Sequence, residues 1–176
     1  WGAFTLFACT TASILSGAVI ERIRMASFVV LAVILGSVVW NLAASWGWHP
    51  AGWLVTNYGY HDAVASGVVH TISGFFALGV LINLGPRIGK FNADCSANQI
   101  RGHSLPMTIT GLMLIVVGFF GFIGACVLYN YGVGGGWTNI YGGPTTLSAY
   151  LFNTLMAVAG GIIGCYACTR DPFWMM

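Results

Sequence analysis

Five apolar stretches, each near ~20 residues, are the feature that most restricts how this chain can fold. None of them contains an Asp, Glu, Lys or Arg, and they cover residues 2–20, 26–45, 63–84, 105–128 and 146–168. An α-helix rises ~1.5 Å per residue, so such a stretch crosses the ~30 Å hydrocarbon core of a bilayer. A charge at the centre of a spanning helix costs ~2.5–3.5 kcal/mol, and its absence throughout indicates membrane insertion.

The overall composition excludes an ordinary soluble domain. Hydrophobic residues make up 57% of the chain and charged residues only 6%, whereas soluble domains carry ~25% charged residues. A membrane β-barrel would show alternating segments of ~10 residues, which the sequence lacks. The predicted fold class is therefore all-α, a polytopic membrane helix bundle with about five transmembrane helices present.

The six basic residues predict the orientation of these helices. They lie in two of the connections and after the last stretch: Arg22, Arg24, Arg87, Lys90, Arg101 and Arg170. The connections 46–62 and 129–145 contain no Lys or Arg. Because positively charged loops stay in the cytoplasm, we expect the N-terminal end outside and the C-terminal end in the cytoplasm, in the plasma membrane.

Aromatic residues support this orientation, since they cluster in the two connections assigned to the outer side. They are Trp46, Trp48, Trp53, Tyr58, Tyr60, Tyr129, Tyr131, Trp137 and Tyr141. Trp and Tyr are enriched at membrane interfaces, so the cluster is typical of an aromatic belt. The net charge of +2 then reports topology, and no nucleic-acid partner is expected.

One ionisable side chain, His70, lies inside an apolar stretch. It follows Asp62, a candidate helix N-cap, by eight residues, which places it roughly 11 Å deep. Titratable groups at such depth face a bundle interior or a hydrated pathway. The alternative is a neutral histidine that hydrogen-bonds a neighbouring helix, and position alone leaves both interpretations open.

Helical spacing groups further side chains on shared faces. Phe119, Phe122 and Cys126 follow one another at i+3 and i+4 on the fourth stretch. On the third stretch, a narrow, mildly polar stripe is formed by Ser66, His70, Ser73 and Gly74. Aromatic rings near a buried histidine could form a hydrophobic constriction in a pore. An ordinary aromatic core is the alternative.

The sequence contains no pattern typical of an enzyme. A P-loop, a dinucleotide fingerprint and His-Glu-x-x-His are all missing. Cys165 and Cys168 form C-x-x-C, but at the end of an apolar helix with no second cysteine pair, so packing is the expected role. We therefore predict no enzymatic activity, no metal site and no cofactor.

Several short motifs share the order and spacing of one protein family. They are Phe7-Ala8-x-x-Thr11, Ser16-Gly17-Ala18-x-x-Glu21-Arg22, Trp46-x-Trp48-x-Pro50-x-Gly52-Trp53, Ser66-Gly67-Val68-Val69-His70, Gly85-Pro86-Arg87-Ile88-Gly89-Lys90-Phe91, Gly102-His103-Ser104, Gly118-Phe119-Phe120-Gly121-Phe122 and Phe152-Asn153-Thr154. Together they resemble the ammonium transporters, especially the plant-like branch. The resemblance implies a homotrimer with one pore per subunit and eleven spans, of which residues 1–176 would form a single incomplete domain, from the third span to about the start of the eighth. The start at Trp1 and the end at a new helix start fit an internal fragment.

The resemblance also implies residue roles. Trp48 would hold NH4+ at an outer vestibule by a cation–π contact, and Asp62 would order the vestibule end of the third span. Phe7 and Phe122 would be stacked gate rings. His70 would be the first of two pore histidines, the second lying in a later helix. The implied function is passage of ammonium or ammonia, with methylammonium as a further substrate, and the alternative is an ammonium sensor.

Two departures from the family pattern concern the implied mouth. Cys126 stands where the family has a serine that accepts a hydrogen bond from ammonium, and a thiol is a weaker acceptor. After Asp62 the usual aromatic-small-Gly reads Ala63-Val64-Ala65. We expect weak recruitment of ammonium, to which Trp48, Cys126 and Asp62 would contribute.

Overall fold

The computed structural model describes residues 1–100, 102–127, 130–131, 137–138 and 144–169. Some positions used above lie outside this part of the chain: Arg101, Tyr129, Tyr141, Arg170 and the helix start expected after residue 170, together with the side chains of Tyr131 and Trp137.

Helices account for most of the described chain. The α-helices are α1 (Gly2–Val19), α2 (Met25–Ile34), α3 (Trp40–Gly47), α4 (Trp53–Tyr58), α5 (Ile72–Leu84), α6 (Leu105–Val127) and α7 (Leu147–Thr169). Two π-helical segments, Leu35–Val39 and Ser66–Thr71, continue into α3 and α5. Three two-residue strands pair antiparallel in the order β1 (Asn130–Tyr131), β2 (Trp137–Thr138), β3 (Pro144–Thr145). The strands lie in a connection, so the all-α class is confirmed.

The prediction of five membrane-spanning helices is confirmed by length and composition. In the described residues these spans are Gly2–Val19, Met25–Gly47, Ser66–Leu84, Leu105–Cys126 and Leu147–Cys168. The third span begins at Ser66, later than the apolar stretch that starts at residue 63. The cause is Ala65, whose backbone is left-handed (φ 69°, ψ 20°) and cannot continue a right-handed helix. The protein is an integral multi-pass membrane protein.

The chain divides into two compact units, Trp1–Ile100 and Arg101–Met176. In the first unit, α1 packs against α5, and the core includes Leu15, Val19, Leu35 and Ala77. The hydroxyl of Ser73, fully buried, donates to the carbonyl of Thr11 across this helix pair at 2.7 Å. A buried hydroxyl needs such a partner, so the bond fixes how the two helices pack.

The α1–α2 turn of the first unit contacts the end of α5. Arg22 donates through Nη1 to the carbonyl of Gly85 at 3.3 Å, and Arg87 Nε lies 3.8 Å from Glu21 Oε2. Both Glu21 (φ 64°) and Gly85 (φ 73°) have left-handed φ values. Two of the motifs found in the sequence therefore meet at this end of the unit.

A polar loop follows the third span. Asn92 and Asn98 exchange side-chain hydrogen bonds at 2.9 and 2.8 Å, and Lys90 Nζ donates to the carbonyl of Asn98 at 2.9 Å. The hydroxyl and backbone N–H of Ser96 donate to the carboxylate of Asp94 and lower its pKa. These hydrogen bonds define the conformation of a loop that has few apolar side chains.

In the second unit, α6 and α7 pack against each other. The buried Tyr150 of α7 donates its hydroxyl to the carbonyl of Phe120, and a Cβ at Gly124 would lie 3.3 Å from that hydroxyl. Thr154, one turn further, is also buried and bonds the carbonyl of Tyr150 at 2.9 Å. Glycine on α6 thus lets the α7 tyrosine approach closely.

Candidate functional site

Trp48, the predicted recruitment residue, lies directly after the end of α3. Its backbone N–H donates to the carbonyl of Ala44 at 2.9 Å, which closes the last turn of the helix. Its indole Nε1–H donates to the backbone carbonyl of Asp62 at 2.7 Å. Because both the backbone and the ring are tied, the half-buried indole has a defined orientation.

The predicted gate residue Phe7 packs directly on this indole. The two ring centroids are 4.8 Å apart and the planes are inclined at 67°, an edge-to-face arrangement. Such pairs contribute ~0.5–1.5 kcal/mol beyond the apolar area that they bury. The structure therefore brings Trp48 and Phe7, from different spans, into one aromatic contact.

Two further rings belong to this aromatic cluster and were missed by the sequence interpretation. Phe4 lies 5.9 Å and Trp40 lies 6.3 Å from the Trp48 ring, centroid to centroid. The spacing of these residues could have predicted them. Phe4 precedes Phe7 by three residues and Trp40 precedes Trp48 by eight, and residues at such spacings share a helical face.

Asp62, the third predicted mouth residue, is 3% exposed. One carboxylate oxygen accepts the backbone N–H of Ser66 at 3.0 Å, and the other accepts those of Gly67 and Val68, both at 2.9 Å. A helix start leaves its first N–H groups without intrahelical partners, and a carboxylate also complements the positive end of the helix dipole. Asp62 therefore orders the start of the third span.

The position of Asp62 differs from the expected N-cap. Ala65 is the N-cap residue, and the left-handed turn at Ala65 folds the chain back so that Asp62 reaches the helix start from three residues further away. The capping chemistry was predicted correctly, and its register was wrong. The sequence pattern could not predict the left-handed backbone of Ala65.

His70 lies on the π-helical segment that follows this cap. Its backbone N–H donates to the carbonyl of Ala65 at 3.2 Å, five residues back, as a π-helix requires. Val68 and Val69 on the same segment are buried, whereas the side chain of His70 lies on the face that the first unit leaves exposed. Single-turn π segments occur frequently at functional sites.

The predicted polar stripe on the third span is split by this segment. Ser66 and His70 are exposed, but Ser73 is fully buried against α1. The prediction assumed the ~100° step of an α-helix, and a π-helical turn takes more residues per turn, so later side chains face another direction. Ser66, His70 and Gly74 are exposed, so of the predicted stripe only Ser73 is buried.

Phe122 and Cys126, the other predicted gate and mouth residues, belong to α6 of the second unit. Both side chains are half-buried, and the rings of Phe119 and Phe122 meet edge to face at a centroid distance of 6.1 Å. The aromatic stripe on α6 is thus present, while the gate and recruitment roles remain predictions.

The remaining histidines do not gather into a site. The side chains of His49, His61 and His103 are all exposed in loops. Among the described residues, no group of three His, Cys, Asp or Glu side chains is placed to hold a metal ion.

Comparison with known proteins decides the family of this chain. The profile of the "Ammonium Transporter Family" matches residues 1–172. The chain belongs to this family. The ammonium transporter Amt2 of Archaeoglobus fulgidus is 30% identical over 96% of the chain, and Amt2 of Methanocaldococcus jannaschii is 33% identical over 97%. Ammonium transporter 1 member 3 of Solanum lycopersicum is 34% identical over 66%.

The match covers only part of these relatives. The chain spans 35% of the length of the Archaeoglobus protein, 36% of the Methanocaldococcus protein and 27% of the tomato protein. The family resemblance read from the motifs is confirmed, and these relatives are named as transporters, not as enzymes.

Proposed function

We propose that this chain is part of a transporter that passes ammonium or ammonia across a membrane, and methylammonium as an analogue. The observation that carries the proposal is the tethered indole of Trp48, packed on Phe7 beside the capped start of the span that bears His70. A rigid aromatic face suits a small cation, because cation–π contacts contribute ~0.5–2 kcal/mol.

In this proposal, NH4+ is recruited at an outer mouth by Trp48, with Cys126 and Asp62 contributing. Asp62 acts through the backbone, since its carboxylate oxygens are occupied by the N–H groups of the helix start. Its carbonyl holds the indole. Cys126 supplies a thiol where a hydroxyl would bind the ion better, which predicts weak recruitment.

The cost of dehydrating an ion sets the next step. Moving a bare ammonium-sized cation into a medium of low dielectric constant costs on the order of 20 kcal/mol, and neutral NH3 avoids most of this penalty. NH4+ therefore loses its proton before passage, Phe7 and Phe122 each serve as a gate ring, and His70 lines the pore as a hydrogen-bonding group. An imidazole suits this role because one nitrogen donates while the other accepts.

The same proposal includes the assembly and its placement. The active form is a homotrimer with one pore per subunit in the plasma membrane, surrounded by lipid, and the mouth with Trp48 faces outward. The distribution of basic residues supports this orientation, because Arg22, Arg87 and Lys90 lie at the end opposite to Trp48 in the chain order of the spans.

The role of His70 gives the direct test. In the protein expressed from its full reading frame, His70→Ala should reduce uptake of [14C]-methylammonium at least ~tenfold, with little change in thermal stability, because the side chain is exposed on its unit and few packing contacts are lost. Uptake is measured in cells and the melting temperature in detergent.

The matched control is His61→Ala, which removes an exposed histidine from a loop and should leave uptake unchanged. Loss of stability with a proportionate loss of uptake in His70→Ala would mean that His70 is a packing residue, and the pore role would be rejected. A wild-type protein that binds ammonium without measurable uptake would instead identify the sensor.

A further inference from the structure

Tyr60 occupies the space between the two elements that form the proposed mouth. It follows α4, and its half-buried ring packs beside Gly47 at the end of α3 and Gly67 at the start of the third span. By sequence alone, Tyr60 is one of the aromatic residues expected at the outer interface. In the structure, its hydroxyl also bonds the Asp62 carboxylate.

The hydroxyl of Tyr60 donates to the carboxylate of Asp62 at 3.2 Å, on the same oxygen that accepts the N–H groups of Gly67 and Val68. A buried carboxylate has a high cost of desolvation, so each donor that reaches it counts. Tyr60 is thus a side-chain donor to the Asp62 carboxylate, as is the hydroxyl of Ser66 at 3.4 Å from the other oxygen.

The neighbouring glycines leave room for this tyrosine. A Cβ at Gly67 would overlap the Tyr60 hydroxyl oxygen, and a Cβ at Gly47 would lie 3.0 Å from Tyr60 Cε1. Gly47 directly precedes Trp48. The ring of Tyr60 therefore contacts the backbone on both sides of the mouth, at the residue before the indole and at the start of the span that bears His70.

Asp62 connects these contacts to the indole. Its carboxylate side holds Tyr60 and the helix start, and its carbonyl accepts the indole Nε1–H of Trp48. A change that shifts the carboxylate shifts the same residue's peptide plane, and with it the acceptor that orients Trp48. Asp62 is therefore the one residue that bonds both the Tyr60 hydroxyl and the Trp48 indole in this arrangement.

We propose that Tyr60 is a positioning residue for ammonium recruitment, which acts through Asp62 to hold the face of Trp48 toward the incoming cation. This inference rests on the proposed function. Tyr60 does not contact the ion, so its loss should weaken binding at the mouth while passage through the pore continues.

The test compares Tyr60→Phe with Tyr58→Phe in the protein expressed from its full reading frame. Tyr60→Phe removes only the hydroxyl. We expect KM for [14C]-methylammonium to rise roughly three- to tenfold, the scale expected for loss of one ordinary hydrogen bond, while the maximal rate stays within about twofold. Tyr58 is 74% exposed, and Tyr58→Phe should leave KM unchanged.

A double-mutant cycle shows whether Tyr60 acts through Trp48. If it does, Tyr60→Phe should raise KM in the wild type but not in Trp48→Leu, because the indole that it positions is already gone. Equal effects in both backgrounds would overturn the inference. If Trp48→Leu raises KM and Tyr60→Phe does not, the positioning role fails and the proposed function stands. If Trp48→Leu also has no effect, the proposed mouth is wrong.

A spectroscopic measurement keeps the test valid if uptake is too weak. With 5-fluorotryptophan incorporated, the Trp48 signal is assigned by its loss in Trp48→Phe. We expect Tyr60→Phe to shift or broaden that fluorine resonance, and Tyr58→Phe to leave it unchanged. An unchanged Trp48 resonance in folded Tyr60→Phe would reject the inference.

Discussion

Asp62 and Glu21 lie at opposite ends of the first unit, and their carboxylates make different kinds of contact. At the proposed mouth, Asp62 is 3% exposed and accepts three backbone N–H groups between 2.9 and 3.0 Å. At the other end, the side chain of Glu21 is 66% exposed and lies 3.8 Å from Arg87 Nε. A buried, fully bonded carboxylate fixes geometry, whereas an exposed ion pair contributes little, with a median of ~0–1 kcal/mol.

The backbone is strained at both ends of the first unit. Ala65 near the mouth and Glu21 at the other end both adopt left-handed φ values without being glycine. The left-handed region costs an L-residue ~1–2 kcal/mol relative to the right-handed one. At the mouth, the hydrogen bonds of Asp62 offset this cost, because the turn at Ala65 is what brings the carboxylate to the helix start.

The largest loss of stability is expected when the negative charge of Asp62 is removed. Asp62→Asn replaces one acceptor oxygen by an NH2 group that faces backbone N–H donors, so we expect the free energy of unfolding to fall by ~2–4 kcal/mol. The measurement is thermal unfolding in detergent. Asp94→Asn in the exposed polar loop is the control and should leave the melting temperature unchanged. A melting temperature for Asp62→Asn equal to that of wild type would mean that the cap does not stabilise the span.

The second prediction concerns the strained turn at the same mouth. Ala65→Gly should raise the free energy of unfolding by roughly 0.5–1 kcal/mol, because glycine adopts φ near 69° without the steric cost, although it gains entropy when unfolded. Ala63→Gly, where φ is not positive, should instead destabilise. The two melting temperatures must move in opposite directions, and a shared loss of stability would contradict the assignment of strain to Ala65.

Much of the fold followed from the sequence, because membrane insertion depends on length and charge alone. The five spans could be predicted since a stretch such as 105–128 has no alternative way to satisfy its backbone in lipid. The family resemblance implied separate roles for Trp48 and Phe7, and the structure adds the direct contact between their rings. Neither the motif nor the periodicity, however, contained the hydrogen bond from the indole to the Asp62 carbonyl.

What could not be predicted depends on backbone irregularities. The π-helical turn at Ser66–Thr71 moved Ser73 away from His70, and the left-handed Ala65 displaced the N-cap. Both are irregularities of the backbone, and a residue pattern with a fixed angular step cannot represent them. The contacts of Tyr60 could not be predicted either, because the two glycines beside its ring, Gly47 and Gly67, lie on other elements.

The smallest effect is expected at the end of the first unit opposite the mouth. Glu21→Gln removes the charge and keeps the shape and the left-handed backbone, so only the ion pair with Arg87 is lost. Since the carboxylate is largely exposed and 3.8 Å from its partner, we expect the free energy of unfolding to change by less than ~0.5 kcal/mol, and this change should vanish in 1 M salt. Thermal unfolding of Glu21→Gln beside Asp62→Asn compares the same chemical change at the two ends. A loss at Glu21 as large as that at Asp62 would show that burial and hydrogen bonding do not distinguish them.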